Sequence, residues 1–487
     1  MVLNFRLIIR ITAIVSVIIS LAMIPALLVC LLYGEYSTAA AFVYSILPVF
    51  VIGTLTALKS RSTFPVIRIR DGLLIVALSW IISSLCGALP FFISGALPNP
   101  ADAFFESASG FTTTGATVIP DVEILPKGIL FWRSFTHWLG GMGILIFAIA
   151  LLPSLGIGGF RIAEAESSGP TLDKLSPKIS DTAKILYSLY IGMTIAETIL
   201  LTAGGMNLFD ALIHTFGSVG TGGFSNYNNS IAHFDSLYIE IIICIFMILA
   251  STNFNLYFFV IRGNLKKCLR DGELRAFLLI ITGLTVIMTA VLYCFNTCDT
   301  VLEGIRLAFF QTVSIITTTV FATDDFNLWP ATCMIVLLLL MFVGGCSGST
   351  SGSVKVIRIL ISIKLIYRGI YKRLHPTAVV PVKLGGRNIS SDKVSSVTSF
   401  IFLYTTVYLI AALVVSSDKV DLLTAASAAA TCLGNVGPGF DQIGPMSDLS
   451  LFSDPVTVFL SFLMITGRLE LFAVLLLLTP VFWNPDR

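Results

Sequence analysis

Charged side chains are missing from seven long windows of the chain, residues 11–34, 72–101, 134–160, 241–261, 276–298, 326–354 and 394–417. Each window reaches or exceeds the roughly 20 apolar residues that carry a helix across a bilayer. Ten spans are predicted from them, at 11–33, 40–58, 72–95, 128–152, 182–203, 235–261, 274–296, 329–363, 397–417 and 452–482. The first apolar stretch ends in Leu32-Tyr33-Gly34 without a small-residue cleavage box, which predicts a span and not a signal peptide.

Between spans, four connections share one design. A short, moderately apolar segment (101–110, 208–218, 302–315 and 420–432) precedes a Gly/Thr-rich run, and another span follows. The runs are Phe111-Thr112-Thr113-Thr114-Gly115-Ala116, Val219-Gly220-Thr221-Gly222-Gly223-Phe224, Ile316-Thr317-Thr318-Thr319-Val320-Phe321 and Leu433-Gly434-Asn435-Val436-Gly437-Pro438. The short segments suit re-entrant helices that enter the membrane and turn back. Irregular backbone at membrane depth survives only when protein buries it or when it lines a watery path. Four such runs on one face therefore predict a central pore. The fold class expected is an all-α polytopic membrane protein: two N-terminal spans (1–70), then four units of span, re-entrant helix, return loop and span at 71–165, 166–270, 271–375 and 376–487.

Composition sharpens this picture. The 487 residues are 56% hydrophobic and 12% charged, against about 25% charge in an average soluble domain. The net charge of +2 carries less information than its sidedness. Basic residues gather at the N-terminus, at Lys59, Arg61, Arg68 and Arg70, at Arg161, Lys174 and Lys178, over 262–275 and over 355–393, all on one side if the N-terminus is cytoplasmic. Acidic residues such as Asp102, Asp121, Glu123, Asp210, Asp441 and Asp448 fall on the other side, where they attract cations. Nucleic-acid binding has no support. The nine cysteines form no CxxC pair; Cys294 and Cys298 are the one candidate for a disulfide.

The runs suggest their own chemistry. Glycine opens backbone shapes closed to other residues, and carbonyls from four loops can replace the water shell of an alkali cation. No nucleophile or redox group is needed, so no enzyme is expected. A second polar cluster, Gly344-Gly345-Cys346-Ser347-Gly348-Ser349-Thr350-Ser351-Gly352-Ser353, interrupts an apolar stretch. It lacks the Gly-Lys-Ser/Thr ending of a phosphate loop. A gate or constriction, a structural kink and a separate solute site all remain open for it. Within the last span, Arg468 and Glu470 are charges at a costly depth. Either Arg468 opposes cations in the path with Glu470 orienting it, or the two form a structural pair. Trp138 to Gly143 predicts a close helix contact through small residues, and His137 a hydrogen-bonding or packing role.

Taken together, Ser109 to Gly115, Arg133 with Trp138 to Gly143, Thr221 to Phe224, Gly344 to Thr350, Leu433 to Gly439 and Gly467 to Glu470 make the whole chain resemble the Trk/Ktr/HKT superfamily of potassium transporters. Within it, the likeness is to the bacterial Trk-type potassium uptake membrane subunit. The resemblance implies a gated, channel-like potassium uptake path, with coupling of potassium to sodium or protons as the alternative. It places K+ at the carbonyls of Thr113, Thr114 and Gly115, of Gly220, Thr221 and Gly222, of Thr318, Thr319 and Val320, and of Asn435, Val436 and Gly437, with Gly115, Gly222 and Gly437 as the filter glycines. Residues Gly344 to Ser353 correspond to an intramembrane gating loop and Arg468 to a pore arginine. The resemblance further implies a homodimer in a bacterial or archaeal cytoplasmic membrane, and a peripheral ring of nucleotide-binding regulatory subunits. No cofactor is implied beyond the transported ion. Val320 stands where the pattern has glycine, and valine disfavours left-handed backbone, so a relaxed filter is predicted there.

Overall fold

The structure is a computed structural model that describes residues 3–60, 68–143, 179–384 and 387–484. Its main helices are α1 (Phe5–Ala22), α2 (Ile24–Leu32), α3 (Tyr36–Lys59), α4 (Ile69–Ile93), α5 (Pro100–Phe111), α6 (Lys127–Gly141), α7 (Ile179–Ala203), α8 (Leu208–Gly220), α9 (Leu237–Ala250) and α10 (Phe254–Ile261). They continue with α11 (Gly272–Cys294), α12 (Val301–Ile316), α13 (Ala331–Leu340), α14 (Val356–Leu374), α15 (Ser391–Val415), α16 (Leu422–Gly434), α17 (Asp454–Arg468) and α18 (Phe472–Leu475). Among the described residues the only sheet is a hairpin of Lys383–Leu384 with Arg387–Asn388.

Six described helical stretches are long and apolar enough to cross a membrane, or eight if each of two bent pairs counts as one. Large apolar side chains such as Leu32, Leu55, Leu279, Phe402 and Leu413 point outward from these helices. Polar side chains are instead buried inside, among them Thr112 to Thr114, Gln311 and Thr317 to Thr319. That inversion of the soluble pattern is what a hydrocarbon solvent selects, because backbone and polar groups must find partners within the protein.

Three predicted spans differ in form. The span predicted at 235–261 bends by 96° between α9 and α10, and the one at 452–482 bends by 114° between α17 and α18. The one at 329–363 breaks between α13 and α14. These breaks support one another. The carbonyl of Ala250 accepts hydrogen bonds from both the amide and the hydroxyl of Thr350, and Ser251 O accepts from Cys346 N. The Asn253 side chain caps the restarted helix α10. Irregular backbone in one broken span thus satisfies irregular backbone in the other. The predicted span at 128–152, the basic residues Arg61, Arg161, Lys174 and Lys178, and the boundary at 165/166 lie wholly or partly outside the described residues. Cys294 and Cys298 are free thiols.

Candidate functional site

Four short helices, α5, α8, α12 and α16, are 12, 13, 16 and 13 residues long. Each starts at a residue suited to an N-cap: Asn99, Asn207, Thr300 and Asp421. Their inner ends are wholly buried and lead directly into the four Gly/Thr-rich runs. A helix C-terminus carries partial negative charge, which favours a cation beside it.

The four runs repeat one backbone conformation. Thr113, Thr221, Thr318 and Asn435 take φ of 55°, 54°, 56° and 53°, and two residues later Gly115, Gly223, Val320 and Gly437 take 79°, 78°, 57° and 110°. Between them, the amides of Thr114, Gly222, Thr319 and Val436 each donate to the carbonyl five residues back, at 2.9, 2.8, 3.0 and 2.8 Å. This fixes the register. The second run is Thr221-Gly222-Gly223, so Gly223, and not Gly222 as the sequence suggested, is the counterpart of Gly115 and Gly437. Gly220 belongs to the end of α8. Val320 does enter the left-handed region that valine disfavours.

The runs also close into a ring. A methyl group on Gly115 would lie 2.0 Å from Gly222 O, one on Gly223 would lie 1.7 Å from Thr319 O, and one on Gly437 would lie 2.8 Å from Thr114 O. Third residues therefore meet second-residue carbonyls of neighbouring runs, one on two, two on three and four on one. Third and fourth runs meet where Val320 Cβ comes within 3.4 Å of a methyl placed on Gly437. Hydroxyls brace the runs from behind. Ser109 Oγ donates to Ala116 O and Ser314 Oγ to Phe321 O, both at 2.6 Å, and Asn435 Nδ2 donates to Thr114 Oγ1 at 3.0 Å.

Above the ring, a cleft of about 90 Å³ is lined by Gly115, Gly223, Val320 and Pro438, with Asp448 on its wall. The buried pair Arg133–Glu106, 2.5 Å apart, holds two runs together. Glu106 accepts from Val118 N, and Arg133 donates to Ser225 O at 2.9 Å. Asp210 accepts from Asn207, Asn226 and Tyr227. Burial and that bond push the Tyr227 hydroxyl up to about 12, so it stays a neutral donor.

Below the ring lies the polar break. Gly352 N donates to Thr318 Oγ1 at 2.8 Å, and a methyl on Gly352 would lie 2.4 Å from Gly434 O. Gly344 N returns to Val354 O at 2.9 Å, Ser349 Oγ meets Ser351 Oγ at 2.7 Å, and Ser353 Oγ donates to Met341 O. Glu273 clamps both ends, accepting from Ser347 N at 2.7 Å and Ile357 N at 3.1 Å. Buried Lys355 donates to Ser351 O. Arg468 joins the break to the ring: it donates to Thr350 O at 2.7 Å, to Gly140 O and Gly141 O at 2.8 Å each, and to Thr113 Oγ1 at 3.2 Å. Glu470, expected beside Arg468, forms its salt bridge with Arg358 of α14.

Known proteins share this fold. The sequence model of the TrkH family, described as cation transport protein, matches residues 38–483. The chain belongs to the TrkH cation transport family. Relatives include the Trk system potassium uptake protein TrkH of Halomonas elongata, 39% identical over 99% of this chain and 100% of that protein. The TrkH of Escherichia coli K12 shares 39% over the same proportions, and TrkG of that strain shares 37% over 96% of each chain. The crystal structure of the potassium transporter TrkH from Vibrio parahaemolyticus superposes with a TM-score of 0.88 at 38% identity, covering 99% of this chain and 100% of that one.

Within this TrkH-family chain, sequence reasoning missed Gly223, Glu273, Lys355 and the Arg358–Glu470 pair. Aligning the runs on Thr113, Thr221 and Thr318 gives Gly223 directly. Glu273 and the Arg358–Glu470 pair had no local signal, since each joins residues distant in sequence; Lys355 acts on Ser351 O four residues away, and its only mark was its place beside the polar cluster.

Proposed function

We propose that this chain carries potassium into the cell through a gated, channel-like path, with the four runs as its selectivity filter. One observation carries the reading: four backbone runs of the same conformation close into a ring at the ends of four converging helices. Such a ring offers carbonyl oxygens in place of a cation's water shell at little cost in reorganisation. The filter positions are Thr113 to Gly115, Thr221 to Gly223, Thr318 to Val320 and Asn435 to Gly437, within the four units 71–165, 166–270, 271–375 and 376–487. Residues Gly344 to Ser353 form the gate, packed against the inner face of the filter and held by Arg468. The positive charge of Arg468 opposes a dehydrated cation at that level, where low dielectric strengthens the effect. The relatives' membership of Trk potassium uptake systems supports K+ as the cargo and association with further Trk components; the family resemblance carries the nucleotide-binding nature of a peripheral regulatory ring and the homodimer, and the one-sided basic residues carry a cytoplasmic N-terminus.

The test is cation flux in liposomes containing the purified full chain. Potassium and rubidium are expected to pass down their gradients. Folded protein that passes neither ion, with or without its regulatory partner, overturns the reading.

A further inference from the structure

The second run differs from the other three in what stands behind it. At the middle position of the runs, Thr114, Thr319 and Val436 carry buried β-branched side chains. Such side chains are stiff and support the backbone that bears them. The second run has Gly222 there, and its φ is not among the positive ones, so the conformation alone does not call for glycine. The missing bulk comes from another element. A methyl group on Gly222 would lie 2.3 Å from Cγ and 2.5 Å from Nδ1 of His137 on α6. The His137 ring is fully buried and stacks on Phe224 at 4.1 Å. Arg133, one turn earlier on α6, also packs on Phe224, its guanidinium 3.5 Å from the ring centre.

The ring is held in place. His137 Nδ1 lies 2.8 Å from Gly110 O at the end of α5. A carbonyl only accepts, so Nδ1 carries the proton. Nε2 is buried without a hydrogen-bond partner. The imidazole therefore acts as a flat, oriented wall, tied to the first unit and pressed against the second run.

We propose that His137 is a positioning residue that sets ion preference, because its ring replaces the side chain absent from Gly222 and fixes the Gly222 carbonyl that faces Gly115. The inference rests on the filter reading above.

Bi-ionic K+/Na+ reversal potentials of the full-length protein in bilayers test it, since a reversal potential does not depend on how much protein is active. His137→Ala is expected to shift the potential toward sodium, and His137→Phe, which keeps a ring, to shift it less. Gly222→Thr alone collides with the imidazole and loses potassium preference. Gly222→Thr combined with His137→Ala copies the first and third runs and recovers it. An unchanged potential in His137→Ala, or a double variant no more potassium-selective than Gly222→Thr, overturns the proposal. That last comparison decides even if His137→Ala does not fold. Gly115→Ala, whose methyl meets Gly222 O, separates the two readings. If it too leaves selectivity intact, the filter assignment falls; if it abolishes selectivity while His137→Ala does nothing, only the role of His137 falls.

Discussion

Val320 is the residue whose replacement reports most directly on the filter backbone. Its φ of 57° lies in the left-handed region that the glycines at the same place in the other three runs also occupy, against valine's own preference. An L-residue in the left-handed region costs roughly 1–2 kcal/mol, and branching at Cβ makes valine a poor occupant. The side chain is 6% exposed, so deleting it loses about 1.5–3 kcal/mol of burial. Val320→Ala gives up most of that burial and keeps most of the strain. Val320→Gly gives up about 0.8 kcal/mol more burial and about 0.5–1 kcal/mol of chain entropy, but recovers the left-handed penalty. The two differences offset each other, so Val320→Gly is expected to match Val320→Ala in stability. At an ordinary buried position glycine would fall about 1–2 kcal/mol below alanine by the same terms. Thermal inactivation of both variants in one detergent, followed by monodispersity, ranks them. Glycine restores the backbone freedom of the other three runs, so Val320→Gly is also expected to move the bi-ionic reversal potential toward potassium. A glycine variant clearly less stable than the alanine one would falsify the claim of strain, and an unchanged reversal potential would show that the Val320 carbonyl already sits as the others do.

Two further outcomes concern the proposed gate. Arg468→Ala removes four hydrogen bonds that join the break, the first run and the end of α6, together with a positive charge at the path; basal potassium flux per folded protein should rise and depend less on the regulatory partner, and wild-type flux and regulation would remove Arg468 from the gate. Glu273→Ala takes a buried carboxyl acceptor from Ser347 N and Ile357 N, bonds of about 0.5–1.5 kcal/mol each. Basal flux should rise here as well, and hydrogen exchange should increase across Gly344 to Ser353; unchanged exchange would mean that Glu273 does not hold the loop.

The hinge after Arg468 was invisible in the sequence for a clear reason. Glu470 and Leu471 both adopt positive φ, 53° and 64°, and Phe472 N bonds to Glu470 O at 2.6 Å in a tight γ-turn. Neither residue favours such a shape locally. It is held because Glu470 reaches Arg358, 112 residues earlier in the chain, whose guanidinium also lies 3.8 Å from the Phe400 ring centre. A pairing across that distance leaves no periodic or compositional mark.

By itself, the sequence determined the membrane setting, the all-helical class and the four short helices that each lead into a Gly/Thr-rich run. Each of these follows from quantities additive along the chain: charge-free length, short segments with capping residues at their starts, and glycine and threonine clustered after them. The register of the second run was missed because Gly220, Gly222 and Gly223 offer competing glycine alignments, although Thr221 marks the position of Thr113 and Thr318. The tertiary structure decided that register through backbone angles and ring contacts. It also decided why a side chain at Gly222 would collide, which depends on the His137 imidazole of another helix, and what holds the polar break, which depends on Glu273 and Arg468 from segments distant in sequence. In a solvent without water, backbone groups freed by a break must be satisfied by whatever part of the fold lies against them, and which part that is depends on the packing of the whole chain.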